Sequence, residues 1–207
     1  MKAVRKNALT PTLSPRERGY GGMMLGGYRE LWLAFLAMVL ITGFYGGVVF
    51  LAREIPPASE LFGHGLGVIG FLFMLMTETL YSLRKRSRSV RWGRLSGWLQ
   101  FHIFTGLVGP YMVLLHTSWK FNGLAGVTTL LTVIIVVSGF IGRYIFTRIP
   151  RTMDGLEIEG TLSQEALRQA RRLMALWHTI HIPIGMALFV SAFIHAGAAL
   201  YYATLLK

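Results

Sequence analysis

The sequence predicts an all-α integral membrane protein with a bundle of five transmembrane helices, and three observations support this fold class. Hydrophobic residues make up 53% of the 207 residues and charged residues only 14%, and the mean hydropathy is +0.51. Soluble domains carry about 25% charged residues. The apolar residues form long blocks, and basic residues concentrate in every second connection between the blocks. These features are typical of a multi-pass membrane protein.

Each apolar block is long enough to cross roughly 30 Å of hydrocarbon at about 1.5 Å per helical residue. Helices are expected because lipid offers no hydrogen-bond partners to an unpaired backbone. The sequence places the spans near residues 31–52, 63–83, 97–119, 123–147 and 174–205. Within the connection 152–172, the stretch TLSQEALRQARRL predicts a short helix on the cytoplasmic surface.

The N-terminal residues 1–22 are polar and basic and lack the apolar core of a signal peptide. The stretch ALTPTLSPRERG resembles the translated intergenic repeats that precede some bacterial genes. Met23 or Met24 is therefore an alternative start. We expect residues 1–22 to be a disordered tail, or a short cytoplasmic one, and residues 23–207 to form a single transmembrane domain.

The basic residues predict how the spans are oriented. Residues 84–94 carry six basic residues and no acid, whereas connections 53–62 and 120–122 carry one basic residue each. Because Lys and Arg concentrate in cytoplasmic loops, we expect a cytoplasmic N-terminus and an external C-terminus in a bacterial inner membrane. The net charge of +12 then indicates orientation and contact with anionic lipid rather than binding to nucleic acid.

Four of the six histidines form two pairs of equal spacing. His102 and His116 lie fourteen residues apart in the third span, and His181 and His195 lie fourteen apart in the fifth. Fourteen residues leave a rotation of about 40°, so both members share one face of their helix, about 21 Å apart. The two spans run parallel, which predicts that His102 faces His181 and His116 faces His195. Imidazoles on opposite sides of a gap are the axial ligands of a b-type haem.

Glycines reinforce this interpretation. Both histidine spans read His-Ile-x-x-Gly, followed by nine residues and a second histidine. Gly106 and Gly185 lie one turn from the first histidine of their spans, and Gly109 lies midway along the third. A glycine leaves room beside a helix for the edge of a porphyrin.

The arrangement resembles the dihaem b-type membrane cytochromes, in particular ferric-reductase-like transmembrane domains and bacterial cytochrome b subunits. The resemblance implies that His102, His116, His181 and His195 ligate two haem irons. The chain lacks the flavin and nicotinamide domain of complete ferric reductases, which implies an electron-transfer subunit rather than a complete enzyme. The absence of cysteine excludes c-type haem attachment and thiolate-bound iron–sulfur clusters within this chain.

Several other polar residues are candidates for supporting roles. Lys120 and Arg143 are either partners of haem propionates or simple membrane-boundary cations. Glu78, His64 and His178 are candidates for proton transfer or quinone binding, because ionisable groups inside spans are usually functional. For Glu78 an ion pair with Arg84 or another arginine is the alternative, and for His178 an interfacial position. The tryptophans expected to form an interfacial belt are Trp32, Trp98, Trp119 and Trp177.

Together these residues predict transmembrane electron transfer through two bis-histidine haems. We expect the chain to be a cytochrome b subunit of a membrane oxidoreductase that exchanges electrons with quinone. The expected partners are other redox subunits: a flavoprotein, an iron–sulfur protein or a cytochrome c. One alternative is a metal reductase-type subunit that receives electrons from a separate cytoplasmic flavoprotein. The other is a haem-free transporter or anchor subunit, although no inverted repeat supports a transporter.

Overall fold

The structure of the protein is a computed structural model that describes residues 28–86, 95–147 and 164–205. Its helices are α1 (Arg29–Ala52), α2 (Leu61–Arg86), α3 (Leu95–His116), α4 (Gly123–Thr147) and α5 (Gln164–Leu205). All five are long and apolar enough to cross a membrane. The predicted all-α architecture with five candidate spans is therefore confirmed, whereas the predicted tail 1–22 lies outside the described residues.

The predicted and observed helix ends agree within three residues, except at the start of α5. The third span ends at His116, three residues early, because Ser118 and Trp119 have left-handed φ angles of 47° and 62°. The prediction of a separate surface helix was wrong for residues 164–172, since these residues form the first turns of α5. No glycine or proline interrupts residues 164–182, so nothing in the sequence ends the helix there. Residues 152–163 lie outside the described part.

The closest helix packing joins α2 to α3 and α4 to α5, and α3 also contacts α1 and α4. Gly70 and Gly109 allow α2 and α3 to approach, because a Cβ on either would lie 2.8 Å from the other's carbonyl oxygen. Beside this contact, the Thr77 hydroxyl donates to the Thr105 Oγ1 at 2.6 Å. Small residues and hydroxyl pairs are the usual means of joining helices in lipid.

Two further hydroxyl pairs connect α1 to α3 and α4 to α5. Thr42 of α1 and Tyr111 of α3 lie 2.5 Å apart, and Thr128 of α4 and Ser191 of α5 lie 2.6 Å apart. At one end of the bundle, the Ser118 hydroxyl donates to the Pro56 carbonyl at 2.6 Å. This bond attaches the turn after α3 to the connection between α1 and α2.

The buried core is small relative to the apolar surface. Val108 and Leu188 are each 2% exposed, and they lie on α3 and α5 between the two histidines of each helix. Large apolar side chains instead cover the outside of the bundle, as at Trp32 of α1, which is 69% exposed. An apolar surface of this extent favours contact with lipid rather than with water.

Candidate functional site

The structure brings together the histidines that the sequence paired. His181 of α5 lies within electrostatic range of His102 of α3, and His195 lies within electrostatic range of His116. We call His102 and His181 the first pair, and His116 and His195 the second pair. Each pair combines one imidazole from α3 with one from α5, as the parallel course of the two helices requires.

The hydrogen bonds of α3 determine which nitrogen of each imidazole is available. His102 Nδ1 lies 3.1 Å from the carbonyl oxygen of Thr77, and His116 Nδ1 lies 2.8 Å from that of Gly63. A carbonyl oxygen only accepts, so both Nδ1 atoms carry the proton and donate it. The lone pair of the neutral ring then resides on Nε2, which is the tautomer that metal-ligating histidines adopt.

His181 of the first pair is held from α4 and by its own helix. Its Nδ1 shares a hydrogen bond of 2.9 Å with the Ser138 hydroxyl. The indole ring of Trp177 stacks on the imidazole with 4.5 Å between ring centroids and 28° between planes. The expectation that Trp177 belongs to an interfacial belt missed this contact with a candidate ligand.

The second pair has a different environment. A Cβ at Gly67 of α2 would lie 2.8 Å from the His116 ring, so the imidazole fits against α2 because residue 67 has no side chain. The exposed His64 contacts His116 edge-on, with 6.4 Å between ring centroids. Within the described part of the chain, His195 has no hydrogen bond from its ring.

The two histidine helices are not packed closely on each other along their described residues, although each packs closely on a neighbour. In the part of α5 between His181 and His195, aromatic side chains meet Phe71 of α2. Phe71 contacts Phe189 with 6.3 Å between ring centroids, and it contacts Phe193, which is 55% exposed, with 5.3 Å. The stretch of α5 between its two histidines therefore packs aromatic rings against α2.

The three glycines singled out in the sequence face neighbouring helices. A Cβ at Gly106 would meet Thr77 of α2 at 3.5 Å, and one at Gly185 would meet Ile135 of α4 at 3.8 Å. Gly109 provides the close approach to Gly70 described above. Their proposed role beside a porphyrin remains a prediction.

The predicted propionate partners occupy different surroundings. Lys120 is exposed in the turn after α3, and its backbone N–H donates to the Thr117 carbonyl at 2.9 Å. Arg143 of α4 forms an ion pair with Glu30 of α1, and its guanidinium lies 5.9 Å from the Tyr28 ring centroid. Sequence reasoning missed Glu30, whose side chain is only 6% exposed.

The candidate proton-handling residues lie next to the pairs rather than within them. Glu78 is exposed on α2, adjacent in sequence to Thr77, and accepts a hydrogen bond of 3.3 Å from Ser82. The side chain of Arg84, its alternative partner, lies outside the described residues. His178 donates from Nδ1 to the Met174 carbonyl at 2.9 Å and contacts the Trp177 indole at 4.7 Å.

Sequence reasoning missed most of the residues that hold the imidazoles. These supporting residues are Gly63, Gly67, Thr77, Ser138, Gly142 and Trp177. One signal was available, because Gly63, Gly67 and Gly70 of GHGLGVIG follow one another at intervals of four and three residues and so mark a helix face that something approaches closely. Backbone carbonyl acceptors have no such signal, since every residue carries one.

Among the described residues, no group of three or more histidine or acidic side chains is arranged to hold a free metal ion. Bis-histidine haem ligation needs only two protein ligands per iron. No protein-family model, curated protein or solved structure matches the chain.

Proposed function

We propose that this chain is a dihaem b-type cytochrome subunit that transfers electrons across a bacterial inner membrane. The observation that carries the proposal is the cross-helix pairing of four imidazoles at two levels. It is supported by the Nδ1 donors of His102 and His116, which place the lone pair of each neutral ring on Nε2, the nitrogen that would bind iron. The loose approach of α3 to α5 supports it further, because a porphyrin between two ligating helices keeps them apart.

The residues of the two pairs have defined tasks in this proposal. His102 and His181 would hold one haem, and His116 and His195 the other. A b-type haem bound at each pair would supply a one-electron iron couple. The carbonyls of Thr77 and Gly63 orient the α3 imidazoles and raise their basicity. Phe71 and Phe189 would add an apolar aromatic contact between α2 and the stretch of α5 that joins His181 to His195.

The decisive experiment is a pyridine haemochrome assay on the purified full-length chain. We expect two b-type haems per chain. The control is His64→Ala, since His64 touches His116 but is not a proposed ligand, and this variant should retain two haems. A wild-type protein without haem would contradict the proposal and favour a haem-free transporter or anchor subunit.

The proposal includes an orientation in which the N-terminus and the first pair lie on the cytoplasmic side. The chain contains no cysteine, so single introduced cysteines can report each side of the membrane. Ser59 and Ser96 are both exposed and lie at opposite ends of the bundle. In intact cells with a permeable outer membrane, a membrane-impermeant maleimide should label Ser59→Cys and not Ser96→Cys. The reverse pattern would overturn the orientation.

Quinone is the proposed exchange partner, because titratable groups accompany both pairs. Glu78 follows the residue whose carbonyl holds His102, and the exposed His64 lies beside His116. His178 is a third candidate near the first pair. We expect quinol analogues to reduce the purified protein, with Glu78→Gln or His64→Gln slowing the reaction. Reduction only by a cytoplasmic flavoprotein would instead favour the metal reductase-type alternative. On the quinone route, an iron–sulfur protein or a cytochrome c would be the second electron-exchange partner of the chain.

A further inference from the structure

Trp177 lies in the contact between α4 and α5, where two features fix its position. Its Nε1 donates to the Ser138 carbonyl at 2.7 Å. A Cβ at Gly142 would lie 2.2 Å from the six-membered ring of the indole, so the ring fits against α4 only because residue 142 is a glycine. The indole is therefore held by a hydrogen bond to the Ser138 carbonyl and by close packing against the backbone of Gly142.

Ser138 connects the indole to the imidazole. Its carbonyl accepts from Trp177, while its hydroxyl shares the 2.9 Å hydrogen bond with His181 Nδ1. The indole covers one face of the imidazole at 4.5 Å. Rotation of the His181 ring about its Cβ–Cγ bond would break the hydrogen bond at its edge and the stacking on its face. Neither His116 nor His195 has a stacked tryptophan among the described ring contacts.

We infer that Trp177 and Ser138 are positioning residues that set the rotational orientation of the His181 imidazole, and through it the electronic properties of the haem at the first pair. The inference rests on the proposed function. The d-orbital energies of a bis-imidazole iron depend on the angle between the two imidazole planes, which the g values of the ferric low-spin haem report. A hydrogen bond from Nδ1–H also makes the imidazole a stronger donor, which favours ferric iron and lowers the reduction potential.

The first test removes the hydroxyl in Ser138→Ala and restores it in Ser138→Thr. We expect Ser138→Ala to retain two haems, with a shifted low-field g value and a raised midpoint potential for one of them. The shifted signal must be the one lost in His102→Ala. Ser138→Thr should return both quantities toward wild type. The matched control is Thr128→Val, which removes the other buried hydroxyl joining α4 to α5 and should leave this signal unchanged.

The second test removes the stacked ring in Trp177→Leu, with Trp32→Leu as the control because Trp32 is exposed on α1. We expect Trp177→Leu to shift the same g value and Trp32→Leu to shift neither signal. If Ser138→Ala or Trp177→Leu loses the haem, Trp177→Phe must still shift the signal, because it keeps an aromatic face but loses the Nε1 donor.

The results separate this inference from the proposed function. Two haems in every variant with unchanged g values and potentials would overturn the positioning role and leave the dihaem proposal intact. A shift confined to the signal lost in His116→Ala would also overturn it. A wild-type protein without haem would overturn the proposed function, and this inference with it.

Discussion

The two histidine pairs share one spacing in the sequence but differ in how the structure holds them. In the first pair both imidazoles have a hydrogen-bond partner, the Thr77 carbonyl for His102 and the Ser138 hydroxyl for His181. In the second pair, among the residues that the structure describes, only His116 has one, the Gly63 carbonyl. An identical ligand pattern therefore does not produce identical sites.

The difference arises in the helices that do not carry the ligands. Helix α2 holds both α3 imidazoles, whereas α4 holds only the α5 imidazole of the first pair. At the second pair a glycine leaves room for a ligand ring itself, since Gly67 lies against His116, whereas at the first pair Gly142 leaves room for Trp177 rather than for an imidazole. We expect the second pair to be the more sensitive to changes in packing and the first to changes in hydrogen bonding.

The largest effect should follow from Gly67→Ala. The added methyl group would lie 2.8 Å from the His116 ring. That ring cannot easily move away, because its Nδ1 is hydrogen-bonded to the Gly63 carbonyl. We expect the haemochrome value to fall from two haems per chain toward one. Gly65→Ala is the matched control on the same helix, since a Cβ there meets nothing within 4 Å. Equal haem contents in the two variants would contradict the role assigned to packing.

A smaller effect, on stability alone, should follow from Glu30→Gln. This change breaks the ion pair with the half-buried Arg143, which lies one to two turns beyond Ser138 on α4. Breaking a buried ion pair costs on the order of 3 kcal/mol. We expect a lower thermal unfolding temperature in detergent with two haems still bound before unfolding.

The control for that change is Glu165→Gln, because Glu165 is exposed in the first turn of α5. It should leave the unfolding temperature close to that of the wild type. Loss of the first haem in Glu30→Gln at low temperature would show that the first pair depends on the general stability of this end of the bundle rather than on its local anchors.

The smallest effect should follow from Thr77→Val. The variant loses the hydroxyl bond to Thr105, worth about 0.6 kcal/mol on average for helix pairs in lipid. It keeps the backbone carbonyl that accepts from His102. We expect two haems and unchanged g values, in contrast to Ser138→Ala, where the side chain itself is the partner. A shifted signal would show that the threonine side chain also orients His102.

The sequence predicted the helices well because their signal is physical and local. Long apolar blocks in a chain with few charges have few alternatives to helix, and both ends of α4 matched the prediction. The start of α5 did not, because the polar residues before position 174 predict the end of a membrane span, although residues 164–182 contain no glycine or proline that would break the helix. Polarity marks where a membrane would end and does not by itself end a helix.

The candidate site was predictable only in part. The fourteen-residue spacing and the parallel course of α3 and α5 suffice to bring His102 near His181 and His116 near His195. The partners of the imidazoles depend on how α2 and α4 pack against these helices, which the sequence of α3 and α5 does not encode. Trp177 illustrates this limit, since tryptophan near a span end usually indicates an interface but here stacks on His181.

The measurement that tests the central claim most directly is the haem content of two double histidine-to-alanine variants. Removing His102 and His181 together empties one proposed site, so this variant should retain one haem per chain. Removing His102 and His195 takes one ligand from each proposed site, so this variant should retain none. Equal haem contents in the two variants, or retention of a haem by the second alone, would contradict the pairing of α3 with α5.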